Sequence, residues 1–148
     1  MTRIFTVLTI FLSSTVFAQN STDSIKATIM HLFDGMRTTD TALIRSAFVY
    51  NPVFQSVITN KEGRVVVRSE SLDSFIVSIA KPHNLVYDER IIFDDIRMDG
   101  DLAMVWAPYK FYLGDKFSHC GVDSFQLVRI DGVWKILYLV DTRRRDCE

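Results

Sequence analysis

Residues that could transfer a proton lie together on one predicted strand in the last third of the chain. Alternate residues of a strand point the same way. One face of this strand therefore carries His119, Phe117, Asp123, Phe125 and Leu127. A histidine paired with a carboxylate among apolar side chains is a reasonable general base near neutral pH. We predict catalytic roles for His119 with Asp123, or with Asp141 on a neighbouring strand.

Structural roles compete with these assignments. Asp123 could be a bulge residue after Gly121, and Asp141 could form an ion pair with Arg143 or Arg144 near the open edge of the sheet. Exposed ion pairs of that kind usually contribute little. His119 would then orient a ligand or line a pocket wall without acting as a base.

Aromatic side chains are predicted to line the same pocket. They make up 12% of the residues, and the 11 phenylalanines exceed what a small core requires. Ligand pockets are mostly apolar, with a few convergent polar groups. The predicted ligand-binding residues are Tyr50, Phe54, Trp106, Tyr109, His119 and Phe125.

Charge balance and missing motifs narrow the class of protein. The 17 basic residues nearly offset the 18 acidic ones, so nothing indicates a nucleic-acid or anionic-membrane partner. The sequence has no phosphate-binding loop, dinucleotide fingerprint, metal triad or nucleophile elbow. We therefore expect neither a metal nor a cofactor.

The first 18 residues are predicted to be a secretory signal peptide. They carry one cation, Arg3, a short apolar stretch and small residues before a cleavage point between Ala18 and Gln19. The apolar stretch is well short of the roughly 20 residues that span a bilayer. Cleavage would release one domain, residues 19–148, into the periplasm or the medium, with no membrane association. A buried N-terminal helix is the alternative.

The two cysteines, Cys120 and Cys147, could form a disulfide in an exported chain. Their spacing alone does not place the two Cα atoms within bonding distance. Metal binding is disfavoured because His119 and Cys120 are strand neighbours that point to opposite faces. A half-buried thiol at Cys120 is the favoured interpretation.

Three helices are predicted from apolar residues at helical spacing. The apolar face of the first comprises Ile25, Ile29, Leu32, Phe33 and Met36. The predicted caps are Thr22 or Asp23 for the first helix, Asp40 or Thr41 for the second and Ser71 for the third. The predicted ends are Gly35, Asn51-Pro52 and Lys81-Pro82.

The remaining segments predict six strands, separated by turns that contain glycine. They lie at residues 53–59, 64–68, 85–98, 102–113, 116–130 and 133–143. The resulting order, ααββαββββ, is typical of an α+β domain. Strands of a dozen residues must twist and carry bulges. We therefore expect a cone-shaped, strongly curved antiparallel sheet wrapped around N-terminal helices.

The last strand predicts contact with a second subunit because both of its faces are apolar. One face carries Trp134, Ile136, Tyr138 and Val140, and the other carries Val133, Leu137 and Leu139. A sheet with one wet face should instead alternate apolar and polar residues. Since an uncovered apolar patch is a liability, we predict a homodimer through this sheet face. A terminal tail or the third helix is the alternative cover.

The order of elements and the C-terminal string DGVWKILYL resemble the nuclear transport factor 2-like (SnoaL-like) superfamily. Three strings, WAPY, SHCGVDSFQL and WKILYLVDTRR, resemble one bacterial branch, the putative lumazine-binding family. The resemblance implies a cone-shaped pocket and dimerisation through the sheet. It implies no single chemistry, because isomerases, dehydratases, cyclases and non-catalytic binders share the scaffold.

The chain departs from catalytic relatives just after the second helix. Those relatives often have an acidic residue there, in a pattern like Pro-Asp-Ala. This chain reads Tyr50-Asn51-Pro52-Val53-Phe54 at that place, with no carboxylate. An aspartate base of the ketosteroid-isomerase kind is therefore not expected there, although Tyr50 could donate a hydrogen bond to a ligand oxygen.

The sequence as a whole predicts an exported, dimeric domain that binds a small apolar or aromatic ligand without catalysis. The alternative is an isomerase or lyase in which His119 is the base and Asp123 or Asp141 orients it. A second alternative is an accessory module that binds another protein through its sheet face.

Overall fold

The computed structural model describes residues 14–147, with side chains from residue 21 onward. The helices are α1 (Ser14–Thr38), α2 (Thr41–Ser46) and α3 (Leu72–Ala80). The strands are β1 (Phe48–Thr59), β2 (Val65–Ser69), β3 (Tyr87–Ile91), β4 (Asp95–Asp99), β5 (Leu102–Leu113), β6 (Lys116–Ile130) and β7 (Val133–Thr142). The predicted α+β class, with a strongly curved sheet packed on the helices, is confirmed.

One strand pair breaks the predicted antiparallel pattern. The sheet order is β2-β1-β7-β6-β5-β3, and β4 also pairs with β5. All pairs are antiparallel except β1–β7, which is parallel. The prediction of a wholly antiparallel sheet is therefore wrong. The β1–β2 hairpin docks on the C-terminal strand with β1 running in the same direction, so the sheet is mixed and unclosed.

Side-chain caps confirm two predicted helix starts. The Asp40 carboxylate accepts a hydrogen bond from Leu43 N at 2.9 Å, and Ser71 Oγ accepts one from Ser74 N at 3.1 Å. Each bond satisfies a backbone donor that has no partner within its helix. The caps fix where α2 and α3 begin.

Tertiary contacts explain why two predicted helix ends are wrong. α1 continues past Gly35, where a Cβ would lie 2.6 Å from Ile44 Cγ1, so the missing side chain lets α2 pack closely. α2 stops early because Ala47 O accepts a hydrogen bond from Ile136 N at 2.8 Å. Phe48 therefore begins a strand rather than ending a helix.

α1 begins at Ser14, earlier than the predicted cap, because the segment before that cap contains neither glycine nor proline. The helix runs through the predicted cleavage point between Ala18 and Gln19. Residues 1–13 of the predicted signal peptide lie outside the described residues. Cleavage and export stay predictions. Among the helices described, none has the length and apolarity needed to cross a membrane.

The strand predicted at residues 85–98 is divided by a bulge into β3 and β4. Ile91 pairs with Tyr109, whereas Asp95 pairs with Trp106. The residues between Ile91 and Asp95 outnumber their partners by one, so the ladder is interrupted. Both short strands remain on the same edge of β5.

A bulge at Ser118 changes one predicted face of β6. His119 pairs with Phe111, whereas Phe117 pairs with Tyr112, so Ser118 is the extra residue. The Phe117 and Tyr112 rings lie 5.8 Å apart. Because Phe111 and Tyr112 point to opposite faces, the prediction that Phe117 shares a face with His119 is wrong.

A second bulge, at Leu137, changes the predicted faces of β7. Ile136 and Tyr138 occupy consecutive pairing positions opposite β6, which leaves Leu137 as the extra residue. Downstream of it, Leu139 and Asp141 are buried, with 4% and 5% of their surfaces exposed. The grouping of Tyr138 and Val140 with Trp134 and Ile136 is wrong. The inner face, which packs on the helices, instead gains a carboxylate.

The core lies between α1 and the inner face of the sheet. The predicted apolar face of α1 is confirmed, since all of its members are buried. α1 is also held to β7 by Thr28 Oγ1, which donates to Trp134 O at 3.2 Å. The largest fully buried side chains include Phe33, Phe125, Leu127 and Ile136.

A disulfide between Cys120 and Cys147 binds the C-terminal tail to β6. Two backbone hydrogen bonds of 2.9 Å, between Cys120 and Arg144, hold the tail alongside the strand. This backward path brings the two Cα atoms within 6.2 Å. The favoured interpretation of a free thiol is therefore wrong. A Cβ at Gly121 would overlap Thr142 O, so only glycine at this position lets β6 lie this close to Thr142.

Candidate functional site

Two aspartates lie side by side on the inner face of the sheet. Asp123 on β6 pairs in register with Asp141 on β7, and only 2% and 5% of their surfaces are exposed. Their inward neighbours Phe125 and Leu139 are also buried. Two of the three predicted catalytic residues are therefore brought together at the border of the core. Carboxylates this close repel each other when both are ionised.

A third carboxyl group, which sequence reasoning missed, completes this group of acids. Glu89 on β3 pairs with Phe111 and shares a side-chain hydrogen bond with Asp123. Burial raises the pKa of Glu89 from 4.5 to about 7; the hydrogen bond with Asp123 lowers this pKa, and the charge of Asp141 raises it. Glu89, Asp123 and Asp141 form the carboxyl cluster.

The hydrogen bond between Glu89 and Asp123 indicates where a proton resides. Burial raises the pKa of Asp123 well above its ordinary value, and the charges of Glu89 and Asp141 raise it further. The bond between the pair lowers the pKa of Glu89 and raises that of Asp123. The two carboxyls therefore share a proton. The two carboxyls titrate together rather than independently.

Arg143 and Tyr109 hold the third member of the cluster. Arg143 Nε donates to Asp141 Oδ2 at 2.7 Å. Tyr109 Oη lies 3.3 Å from the same oxygen and 2.9 Å from Thr142 O. Burial and the charge of Asp141 raise the pKa of Tyr109, so its hydroxyl remains a donor. Asp141 Oδ1 and Asp123 Oδ2 are buried acceptors that no donor from the described residues reaches.

His119 lies beside the carboxyl cluster rather than within it. Its ring contacts Tyr109 edge-on at 5.7 Å and Phe111 at 5.0 Å, and its Nδ1 lies 3.1 Å from Ser118 Oγ. No hydrogen bond joins it to a carboxylate within residues 21–147. Burial, followed by the charge of Arg143, lowers the pKa of His119. The predicted histidine–aspartate bond is not formed in this arrangement.

A cavity of about 600 Å³ opens beside the carboxyl cluster, between the β1–β2 hairpin and the start of α3. Its volume is in the range of small-molecule pockets. Phe54 and Ile58 provide apolar lining, and Ser56 and Arg68 provide polar groups. Arg143 lies on the cavity wall and also bonds Asp141, so this arginine connects the cavity with the carboxyl cluster.

The predicted ligand-binding residues divide between the two faces of the sheet. Phe54 and Tyr109 lie on the inner face, at the cavity and at the carboxyl cluster. Phe125 is fully buried in the core. Trp106 points outward with 43% of its surface exposed, and Tyr50 is 92% exposed. Of the two residues predicted as candidates for an aromatic wall, Tyr109 faces inward and Trp106 does not, because three residues along a regular strand reverse the face.

A signal for Glu89 was present in the sequence. In the strand Tyr87–Ile91, the side chains that point inward are those of Tyr87, Glu89 and Ile91. A lone acid between two apolar residues at strand period belongs to an inner face. Such an acid has to find a proton or a donor there. The short strand lay inside a longer predicted one, which concealed this pattern.

This arrangement can accept hydrogen bonds from a ligand and can exchange a proton with one. The described part of the chain contains no group of three or more side chains that could hold a metal ion. The carboxyl cluster has acceptors without donors and a proton shared between two acids. Arg143 adds one positive charge at the cavity wall.

Comparison with known proteins identifies the family and the fold. A family model described as putative lumazine-binding matches residues 20–140. No curated protein matches the chain.

Solved structures share the fold at low sequence identity. An NTF2-like protein of unknown function from Shewanella baltica OS155 is 14% identical with a TM-score of 0.65, over 86% of this chain and 97% of that one. The beta subunit of a putative aromatic-ring-hydroxylating dioxygenase from Novosphingobium aromaticivorans DSM 12444 is 14% identical with a TM-score of 0.71, over 89% and 94%. A protein of unknown function from Mycobacterium tuberculosis is 18% identical with a TM-score of 0.67, over 92% and 79%. These similarities support the nuclear transport factor 2-like fold.

Proposed function

Because the chain belongs to the putative lumazine-binding family, we propose that it binds a small organic molecule on the inner face of its sheet. The observation that carries the proposal is the cavity of about 600 Å³ whose wall residue Arg143 is bonded to Asp141. Through that bond, a ligand in the cavity would lie next to the carboxyl cluster. The lining of the cavity is mainly polar, with Phe54 and Ile58 as its apolar side chains.

The lining of the cavity favours an aromatic ligand with a polar edge. Phe54 offers a ring surface, and Arg143 and Arg68 offer donors to ligand oxygens. In this proposal the protein binds and does not catalyse.

An isomerase or lyase is the second candidate function. The proton shared by Asp123 and Glu89 favours it, since the pKa of Glu89 lies at about 7 and suits proton exchange near neutral pH. In this version Glu89 and Asp123 transfer the proton. His119 and Asp141 orient the substrate, and no histidine–aspartate dyad is required.

Export and dimerisation belong to the same proposal. The leader at residues 1–18 supports export. Apolar outward residues support a homodimer through the outer face, among them Leu102, Trp106, Ile130 and Val133, each at least 43% exposed. An accessory module that binds another protein through the same face is the third possibility. Sedimentation that gives a monomer at high micromolar concentration would contradict the dimer.

Native mass spectrometry of protein purified from its own host tests binding directly. We expect a retained small molecule, whose mass disappears when Arg143 is changed to Gln. The matched control is Arg97→Gln, which removes an exposed arginine of β4 that pairs with Asp95. Losing one charge-assisted hydrogen bond should weaken binding about tenfold. Equal ligand occupancy in wild type and Arg143→Gln would contradict the proposed site.

Turnover distinguishes the enzyme from the binding protein. Each ligand found is incubated with wild type and with Glu89→Gln, and the products are measured across pH 5–8. A binding protein returns the ligand unchanged in both cases. Conversion that rises with pH in wild type and is absent in Glu89→Gln would favour the isomerase or lyase instead.

A further inference from the structure

A row of cations crosses the outer face of the sheet, opposite the carboxyl cluster. Arg90 on β3 pairs in register with Lys110 on β5, Lys110 pairs with Cys120 on β6, and Cys120 bridges to Arg144 of the tail. Residues in register on neighbouring strands stand about 5 Å apart on one face. Arg90, Lys110 and Arg144 form the cation row.

The cation row is short of negative charge. Arg90 Nε donates to Asp88 Oδ2 at 2.7 Å, and Asp88 also contacts Arg37. Lys110 and Arg144 form no ion pair with any residue in 21–147. Like charges directly opposite each other on paired strands destabilise a sheet. An anion bound between them would relieve this repulsion.

A cavity of about 410 Å³ lies at the cation row. All three cations line it, together with Pro108, Ile92 and the disulfide residues Cys120 and Cys147. The cavity therefore combines apolar walls with three positive charges. The volume lies within the range of small-molecule pockets.

Two contacts hold this second cavity in shape before any ligand arrives. The Arg90 guanidinium lies 4.1 Å from the centre of the Tyr112 ring and is fixed at its other side by Asp88. The disulfide between Cys120 and Cys147 and the backbone bonds of Arg144 hold the opposite wall. Prearranged groups lose less conformational entropy on binding.

We propose that this outer cavity is a second binding site, for a small organic anion with a planar apolar body, such as an aromatic carboxylate. The carboxylate would lie between Lys110 and Arg144. The planar body would pack on Tyr112, Pro108 and Ile92. This site does not depend on the proposed inner-face function, because the two cavities have no lining residue in common.

Titration with benzoate, followed by amide chemical shifts, tests the proposal on the full mature chain with its disulfide intact. We expect the largest shifts at Lys110, Tyr112 and Cys120, and weaker binding at high salt. Benzyl alcohol, which has the same ring without the charge, should bind about tenfold more weakly. Inorganic phosphate tests whether charge alone is sufficient and should also bind more weakly than benzoate.

Variants decide whether the cation row is responsible. Lys110→Gln and Arg144→Gln should each weaken benzoate binding about tenfold. Arg97→Gln, a charge removed from an exposed side chain outside the cavity, should leave binding unchanged. Thermal melts verify that each variant is folded.

Three results would overturn the second site. Benzoate could bind both cation-row variants as tightly as it binds Arg97→Gln. Benzyl alcohol or phosphate could bind as tightly as benzoate. Shifts could also be confined to inner residues such as Ser56 and Arg143, which would place the anion in the inner cavity and leave the proposed function intact.

Discussion

The two faces of the sheet carry clusters of opposite charge. The inner face holds the carboxyl cluster with one cation, Arg143, bonded to it. The outer face holds the cation row, with one carboxylate, Asp88, bonded to it. Glu89 and Arg90 are adjacent in the chain and belong to opposite groups. One layer of backbone separates the acids from the bases.

Comparison of the two faces indicates that burial, more than charge itself, determines whether these groups can exchange protons. Asp123 and Asp141 are buried and Glu89 is half-buried, and this burial raises the pKa of both Glu89 and Asp123. They can therefore hold a proton near neutral pH, as a site for proton exchange requires. The cations are exposed ammonium and guanidinium groups, which suits them to attracting an anion.

The largest expected difference between the faces is in packing. Phe125 is fully buried against Phe33, with ring centres 6.3 Å apart, whereas Trp106 is 43% exposed. Phe125→Ala should lower the free energy of unfolding by about 3–5 kcal/mol. Trp106→Ala should lower it by less than about 1 kcal/mol. Urea unfolding measures both.

Protein concentration sharpens this comparison. If a second subunit covers the outer face, the difference in free energy of unfolding between wild type and Trp106→Ala should grow with protein concentration, because association stabilises only the folded state. Equal losses in Phe125→Ala and Trp106→Ala in dilute solution would contradict the assignment of the two faces.

Removing the disulfide should have the next largest effect. Cys120 and Cys147 are 27 residues apart in sequence, and closing a loop of that length stabilises by about 3–4 kcal/mol. Cys147→Ser should lose that stability and also weaken ligand binding on the inner face, since the tail carries Arg143. The measurements are urea unfolding and ligand occupancy. Unchanged occupancy in a folded Cys147→Ser protein would show that the tail is held without the disulfide.

Stability should fall as pH rises through the titration of Glu89 and Asp123. Folding raises the pKa of Glu89 from 4.5 to about 7, so the native state keeps a proton that the unfolded chain has lost. This contribution is fully present below pH 4.5 and is lost as pH rises toward about 7. The loss amounts to at most about 3 kcal/mol, and Asp123 acts in the same direction.

Glu89→Gln isolates this effect because glutamine can still accept the hydrogen bond from Asp123. Its free energy of unfolding should depend less on pH between 5 and 8, and it should be more stable than wild type at pH 8. Glu62→Gln, at an exposed turn residue, is the control and should follow wild type. Identical pH profiles for wild type and Glu89→Gln would contradict burial of the Glu89 carboxyl.

The smallest expected effect belongs to the outer face. Lys110→Glu replaces repulsion with attraction toward Arg90 and Arg144, so it should raise the free energy of unfolding by up to about 1 kcal/mol. The gain should shrink in high salt. Thermal melts at low and high ionic strength measure it. A loss of stability at low salt would mean that the cations of the row do not repel one another.

Local patterns allowed much of the fold to be predicted from the sequence. The apolar spacing of α1 and the caps Asp40 and Ser71 depend on residues within one or two turns, and all were confirmed. The long strands β5 and β6 were predicted with their correct bounds, because glycine turns delimit them. Such signals are complete within a short window of sequence.

The errors arose where a distant partner decides the structure. The bulges at Ser118 and Leu137 exist only relative to the strands they pair with, and no glycine or proline marks either position. Each bulge reverses the face of every residue beyond it. The sequence therefore predicted Phe117 on the same face as His119, and Leu139 on the face opposite Trp134.

The same reason explains how far the site could be foreseen. Asp123, Asp141, Tyr109 and His119 were predicted because they lie on long, clearly delimited strands. Glu89 was missed because its role depends on Asp123, which lies on a strand that β5 separates from β3. The disulfide likewise required the path of the tail, which spacing alone does not reveal.

The parallel pairing of β1 with β7 has a consequence for synthesis. On the ribosome, β1 emerges long before the strand that it must join, because Phe48–Thr59 precedes Val133–Thr142 by about half of the chain. Until then the β1 edge of the β1–β2 hairpin is unpaired and open to association with other chains. The inner cavity has walls from distant parts of the sequence, Phe54 and Arg143, so a nascent chain cannot complete this cavity until Arg143 has been synthesised.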